Sequence, residues 1–160
     1  MEVAEYLALN YRPDVDFVDG TLVDRNWGDL QHGWLHCNIG AWLLMRAGRY
    51  RIRPVTSIRL RINPQRIRVA DVAVLQEDAP SDPVVVRAPL LCVEILSPSD
   101  TLPGIWNRID DYLQMGVPVC WIVDPATGIG WTATYSGWTR VTNSILRAGE
   151  IEMPLSEVVE

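Results

Sequence analysis

A mixed β-sheet core flanked by two main helices, an α/β (α+β) fold with added antiparallel hairpins, is predicted by three observations. Segments with strand character outnumber those with helical periodicity. The central order is strand, helix, strand, which suits parallel pairing, and turn dipeptides on either side of it mark hairpins. The chain's 160 residues are expected to form a single domain over 1–160, long enough to bury roughly 70% of the surface of an unfolded chain without a disulfide or metal staple.

Each element follows from its own pattern. Val3, Tyr6 and Leu7 share one face of a short helix within 2–10, closed by Pro13. Residues 16–23 form a hairpin in which Asp19-Gly20 supplies the positive φ angles of a two-residue turn. Leu30, Trp34, Leu35, Ile39, Trp42, Leu43 and Met45 recur at helical spacing over 29–47, the longest helix, with Gly48 as its C-cap. Strict alternation then gives two strands, 50–53 and 58–62, with arginine on the outer face, and these are expected to pair. Val69 to Leu75 is an apolar strand interrupted by Asp71, and Pro89 to Leu96 is another interrupted by Glu94. Ile105, Trp106, Ile109, Tyr112, Leu113 and Met115 predict a helix over 103–115, with Pro103 in its first turn and Gly116 as C-cap. Val117 to Val123 reads as a buried strand, 130–135 and 138–143 as a hairpin around Ser136-Gly137, and the tail as one further short strand.

The composition, 48% hydrophobic and 21% charged, argues against disorder, and without a run of about eighteen apolar residues no membrane association is expected. The acidic N-terminus has no basic n-region of a secretory signal, so a cytoplasmic protein is expected. Cys37, Cys92 and Cys120 are odd in number and lack CxxC spacing, and are expected to be reduced and buried. All 14 basic residues are arginine, which excludes an amine base, a Schiff base or a catalytic lysine. The net charge of -6 conceals a segregation: Leu30 to Ala70 contains eight arginines and no acid, +8 against -14 for the remainder. That segment suits a phosphate-facing surface, or equally the solvated face of an antiparallel sheet whose arginines pair with acids on neighbouring strands.

A carboxylate inside an apolar strand is costly unless it is paired or coordinates a cation, so Asp71 and Glu94 invite a shared explanation. One is a divalent metal: hard oxygens on adjacent strands with a main-chain carbonyl nearby suit Mg²⁺ or Mn²⁺, ions that activate water against phosphodiesters. The other is that each acid pairs with an arginine. The run Val69-Ala70-Asp71-Val72, followed by Val93-Glu94-Ile95-Leu96-Ser97-Pro98-Ser99-Asp100, then Tyr112, Gly116-Val117 and Trp121-Ile122-Val123-Asp124-Pro125, resembles the Uma-two family of restriction endonucleases, within the PD-(D/E)XK nuclease superfamily.

The resemblance implies a restriction-endonuclease-like mixed sheet flanked by helices and a metal-dependent endonuclease acting on DNA. It assigns Asp71 and Glu94 as metal ligands, the carbonyl of Ile95 as a further one, and Asp16 as an assisting acid where relatives often carry Glu. Separately, a homodimer is expected. His32 matches a frequent family histidine. Where the family usually has lysine, one turn before Tyr112, this chain has Arg108, whose guanidinium cannot act as a base but can stabilise charge in a transition state. The competing expectation is a catalytically silent nuclease fold that binds nucleic acid or a protein partner.

Other patterns are less specific. His32 and His36 stand at i, i+4 on one helix, a spacing that fits a zinc pair or ordinary packing, and no third ligand is evident. His32 alone is either a neighbour of the acidic site or a satisfied histidine. Of seven tryptophans, Trp34, Trp42, Trp106 and Trp121 are assigned to packing, whereas Trp27, Trp131 and Trp138 stay open as base-stacking platforms.

Overall fold

The computed structural model describes residues 1–25 and 28–159; the expectation for Trp27 lies outside them. In chain order the elements are α1 (Val3–Leu7), β1 (Asp16–Val18), β2 (Thr21–Val23), α2 (Leu30–Met45), α3 (Ala47–Tyr50), β3 (Ile52–Asn63), β4 (Arg66–Gln76) and β5 (Leu91–Ile95). They continue as α4 (Leu102–Met115), β6 (Cys120–Val123), β7 (Gly130–Thr134), β8 (Gly137–Arg140), β9 (Ile145–Ala148) and β10 (Ile151–Pro154). The mixed sheet runs β2-β1-β4-β5-β6-β7-β8, with β3 also on β4. β5 and β6 pair in parallel and are joined through α4, as the strand-helix-strand order requires.

The expected strands 50–53 and 58–62 do not pair with each other: Tyr50 ends α3, Arg51 caps it, and Ile52-Arg53 and 58–62 belong to one strand. β3 runs 12 residues and pairs with β4 in unchanged register from Ile52↔Gln76 to Arg61↔Ile67. Pro54 and Ser57, the latter at φ +49°, break the side-chain alternation while the ladder continues. Arg59 pairs with Asp14, Arg66 with Asp19 and Asp111, and Arg68 with Asp16 and Asp111. Arg59, Arg66 and Arg68 therefore meet acids from other parts of the chain, whereas Arg53 donates to the Ala79 carbonyl at 3.0 Å.

β4 organises the site. β3 occupies one edge of it, and β1 and β5 share the other: β1 pairs with Arg66 and Ile67, β5 with Val72, Ala73 and Val74. Between them the main chain of 68–71 faces a fork without a strand partner. Backbone groups there need other partners, and side chains supply them.

Two apolar layers cover the sheet. On one side Leu35, Ile39, Trp42 and Leu43 of α2 pack on Val72, Val93, Ile95 and Trp121. On the other Ile105, Ile109, Tyr112 and Leu113 of α4 pack on Ala73, Cys92, Cys120 and Ile122. α4 starts at Thr101, whose Oγ1 accepts the Gly104 N–H, and ends at Gly116, whose φ of +112° is a left-handed conformation that glycine adopts without strain.

Several expectations are corrected. Gly48 lies inside α3; the cap of α2 is Arg46, and the chain turns instead at Arg51 in a left-handed conformation. The tail supplies two strands, β9 and β10, forming a separate antiparallel hairpin that packs Leu146, Ile151 and Met153 into the α2 layer. Cys37 is exposed, on the outer side of α2. Trp34 and Trp106 are 52% and 55% exposed. Each is adjacent in sequence to a buried position, Leu35 or Ile105, and so is turned about 100° away from the buried stripe of its helix.

Candidate active site

The fork in β4 gathers the acids. Asp16, on β1, is fully buried and sends Oδ1 to the Val69 N–H at 2.8 Å, filling a ladder position that no strand occupies. Its Oδ2 accepts from Arg68 Nη1 at 3.0 Å and from Arg108 Nη2 at 3.4 Å. Asp71, 3% exposed, closes the other side of the fork: Oδ2 accepts the Ile95 N–H at 2.9 Å, just beyond the last β4–β5 pair. The Asp71 carbonyl accepts from His36 Nε2 at 2.7 Å, so that nitrogen carries the proton.

Strand alternation aims Glu94. Leu91, Val93 and Ile95 join the α2 layer and Cys92 the α4 layer, so Glu94, in step with Cys92, faces α4. There Tyr112 donates its hydroxyl to Oε1, and Arg108 Nη1 lies 3.5 Å from Oε2. Arg108, Asp111 and Tyr112 form a polar group on the buried side of α4, with Asp111 receiving Arg66 and Arg68 at 2.7 Å each.

From the loop after β2, Arg25 enters between the two central carboxylates. Its Nη2 is 2.6 Å from Asp71 Oδ1 and 3.6 Å from Glu94 Oε2. His32, on the first turns of α2, places Nε2 3.5 Å from Asp71 Oδ2. His32 and His36 therefore bracket Asp71, one at its carboxylate and one at its carbonyl, with ring centroids 6.0 Å apart.

This packing separates the acids in protonation. Burial, reinforced by the negative charge of Asp71, pushes Glu94 up to about 8 despite Arg108 and Arg25. Burial also pushes Asp71 upward, but His32, Arg25 and the Ile95 N–H outweigh it and hold that carboxyl well below the usual range. The hydrogen bond to Asp71 raises the proton affinity of His32, against its partial burial. Tyr112 is pushed up by burial and by Glu94 and stays a hydroxyl donor.

Asp16, His32, Asp71, Glu94, Ile95 and Arg108 thus lie in one cluster. Sequence reasoning missed Arg25, Arg68 and Asp111. Asp111 had a signal, since it stands three residues after Arg108 on the buried side of α4; Arg25, in a loop, had none. Among the described residues no three His, Cys, Asp or Glu side chains are grouped so as to hold a metal ion, and Asp16 is turned onto Arg68 and Val69. Asp71 and Glu94 nevertheless converge on one point, that of Arg25 Nη2. Two hard oxygens at a common point fit a divalent cation whose remaining positions are taken by a carbonyl and water.

Residues 3–130 match the model of the Uma2 family, described as "Putative restriction endonuclease". The chain belongs to this family. The family thus covers the fork, both central carboxylates and all of α4. A solved structure, that of a "putative nuclease belonging to DUF820" from Anabaena variabilis, superposes with a TM-score of 0.86 at 16% identity, over 99% of this chain and 97% of that one. It shares the mixed sheet and flanking helices, a nuclease-like fold. No curated protein matches the chain. No helix among the described residues is long and apolar enough to cross a membrane.

Proposed function

We propose that the chain is a Mg²⁺- or Mn²⁺-dependent endonuclease that hydrolyses DNA phosphodiester bonds at the fork of β4. The observation that carries this reading is the convergence of Asp71 and Glu94, from separate strands, to 2.6 and 3.6 Å from one point. Membership of a family described as restriction endonucleases supports it.

Asp71, Glu94 and the Ile95 carbonyl would hold the ion, which when bound supplies an activated water and polarises a phosphoryl oxygen. Arg25 must swing out of the point between the carboxylates, which frees its guanidinium for a phosphate. Arg108, charged at any working pH, stabilises the negative charge that develops on the phosphoryl oxygens, and Asp16 positions it from 3.4 Å. Tyr112 fixes the rotamer of Glu94. His32, with its raised proton affinity, orients Asp71 and can donate to a phosphate oxygen.

The test is incubation of plasmid and single-stranded DNA with protein and Mn²⁺, comparing the natural chain with Asp71→Ala, Glu94→Ala and Arg108→Lys. Cleavage that disappears in both acid variants is the expected result; absence of cleavage in the natural chain and in Arg108→Lys alike refutes it. One observation favours a second reading, a silent nuclease fold that binds nucleic acid or a protein: Arg25 already neutralises the carboxylate pair. That reading expects binding without cleavage in every variant.

A further inference from the structure

The tryptophans left unused by the carboxylate chemistry lie together. Trp106 of α4, Trp131 of β7 and Trp138 of β8 line one cavity of about 460 Å³, with Leu96 also lining it and Arg140 at its rim. That volume is within the range of small-molecule sites, roughly 300–1,000 Å³. The Trp106 and Trp138 rings are 6.2 Å apart between centroids and inclined at 59°, a tilted aromatic pair in which Trp106 is 55% exposed and Trp138 packs partly on the core. Arg140 is exposed and makes no ion pair with a described residue. A second cavity of about 380 Å³ lies across Asp100 and Thr101, which line both, and it includes Arg68 and Arg108. Arg108 is 3.5 Å from Glu94. The two cavities thus flank the same turn ahead of α4. A flat aromatic face beside an exposed arginine matches a base with its adjoining phosphate.

We infer that this cavity takes an unpaired nucleobase of the substrate strand, stacked against Trp106 and Trp138, with the adjoining phosphate on Arg140. The inference rests on the nuclease reading of the neighbouring carboxylates. It makes the bound strand locally single-stranded, because a paired base cannot enter the cavity.

The test is fluorescence anisotropy in EDTA, where binding is read without cleavage. The probes are labelled oligothymidylate and a labelled abasic strand of equal length with the same phosphates. The natural chain should bind oligothymidylate more tightly. Trp106→Ala should weaken that binding about tenfold and leave the abasic strand unchanged, while Trp106→Phe, which keeps a stacking face, should lose less. Arg140→Ala should weaken both probes alike and lower the salt dependence by about one phosphate contact. Trp106 is exposed, so its truncation leaves the core intact, and thermal unfolding checks this. Equal binding of the two probes by the natural chain overturns the inference. So does a dimer in sedimentation that Trp106→Ala dissociates, which would assign the cavity to a second copy of the chain. Base-dependent binding without plasmid cleavage would sink the nuclease reading alone, and cleavage with base-blind binding would sink this one alone.

Discussion

Removing Arg25 should destabilise the metal-free protein and strengthen its grip on a divalent cation, two effects of opposite sign from one substitution. Arg25 is the nearest cation to Asp71 and, with Arg108, one of two flanking Glu94; the two acids are 3% and 1% exposed. Deleting one partner of a buried ion pair costs about 3–5 kcal/mol. The lower end applies here for three reasons: Asp71 keeps His32 and the Ile95 N–H, Glu94 keeps Tyr112 and Arg108, and the Arg25 Nε has no hydrogen-bond partner among the described residues. With a urea slope of about 2 kcal/mol per molar, a loss of about 3 kcal/mol moves the midpoint of Arg25→Ala down by roughly 1.5 M in EDTA. A cation at the same point then meets no competing guanidinium, so saturating Mn²⁺ should return most of that loss and raise the variant's midpoint further than the natural chain's. Urea unfolding followed by tryptophan fluorescence, with EDTA and with Mn²⁺, measures both. An unchanged midpoint in EDTA, or equal Mn²⁺ gains in the two proteins, would refute a shared cation point.

Four further outcomes follow from the geometry. Because burial and Asp71 raise Glu94 to about 8, binding a cation must expel its proton; Mn²⁺ affinity should rise close to tenfold per pH unit below about 8 and then level, by titration calorimetry. The same shift has a definite sign for folding. A carboxyl that ionises at 4.5 unfolded and about 8 folded loses stability as pH rises through that window, and His32, whose proton affinity is also raised, adds in the same direction; urea midpoints in EDTA should fall from mildly acidic to mildly alkaline pH. Asp111→Ala should cost about 3 kcal/mol by chemical unfolding, since it leaves the buried Arg68 without one of its two acids and Arg66 with only the exposed Asp19. Gly116→Ala should cost about 1–2 kcal/mol in the same assay, because φ of +112° strains any residue with a Cβ and the Ala88 methyl lies 3.4 Å from where that atom would sit.

Asp71 and Glu94 were legible because apolar strands tolerate a charge only with a partner, and both partners are present. The central strand-helix-strand unit was legible through the Pro103 and Gly116 boundaries of its helix. What escaped was set by three-dimensional neighbours. Periodicity gave Trp106 the same standing as Ile105, although one residue of helical rotation separates a core position from a surface one. Pro54 and Ser57 interrupt an alternation that the backbone ladder ignores, so one long strand read as two. Arg25 stands after β2 with no periodic pattern, and its role exists only because it meets Asp71 and Glu94 on two strands distant in sequence.

The fork in β4 also bears on how such a chain would age if its chemistry fell out of use. Asp16 serves the Val69 N–H as an absent strand would, and Asp71 does the same for Ile95; selection for folding alone would retain both acids. Among the described residues the His32 imidazole makes no hydrogen bond to the main chain; it faces the Asp71 carboxylate, with the His36 ring and Gly28 beside it. Among descendants of this architecture, the histidine would drift before the acids do, which makes position 32, rather than the acidic pair, the place where a working site distinguishes itself from a retired one.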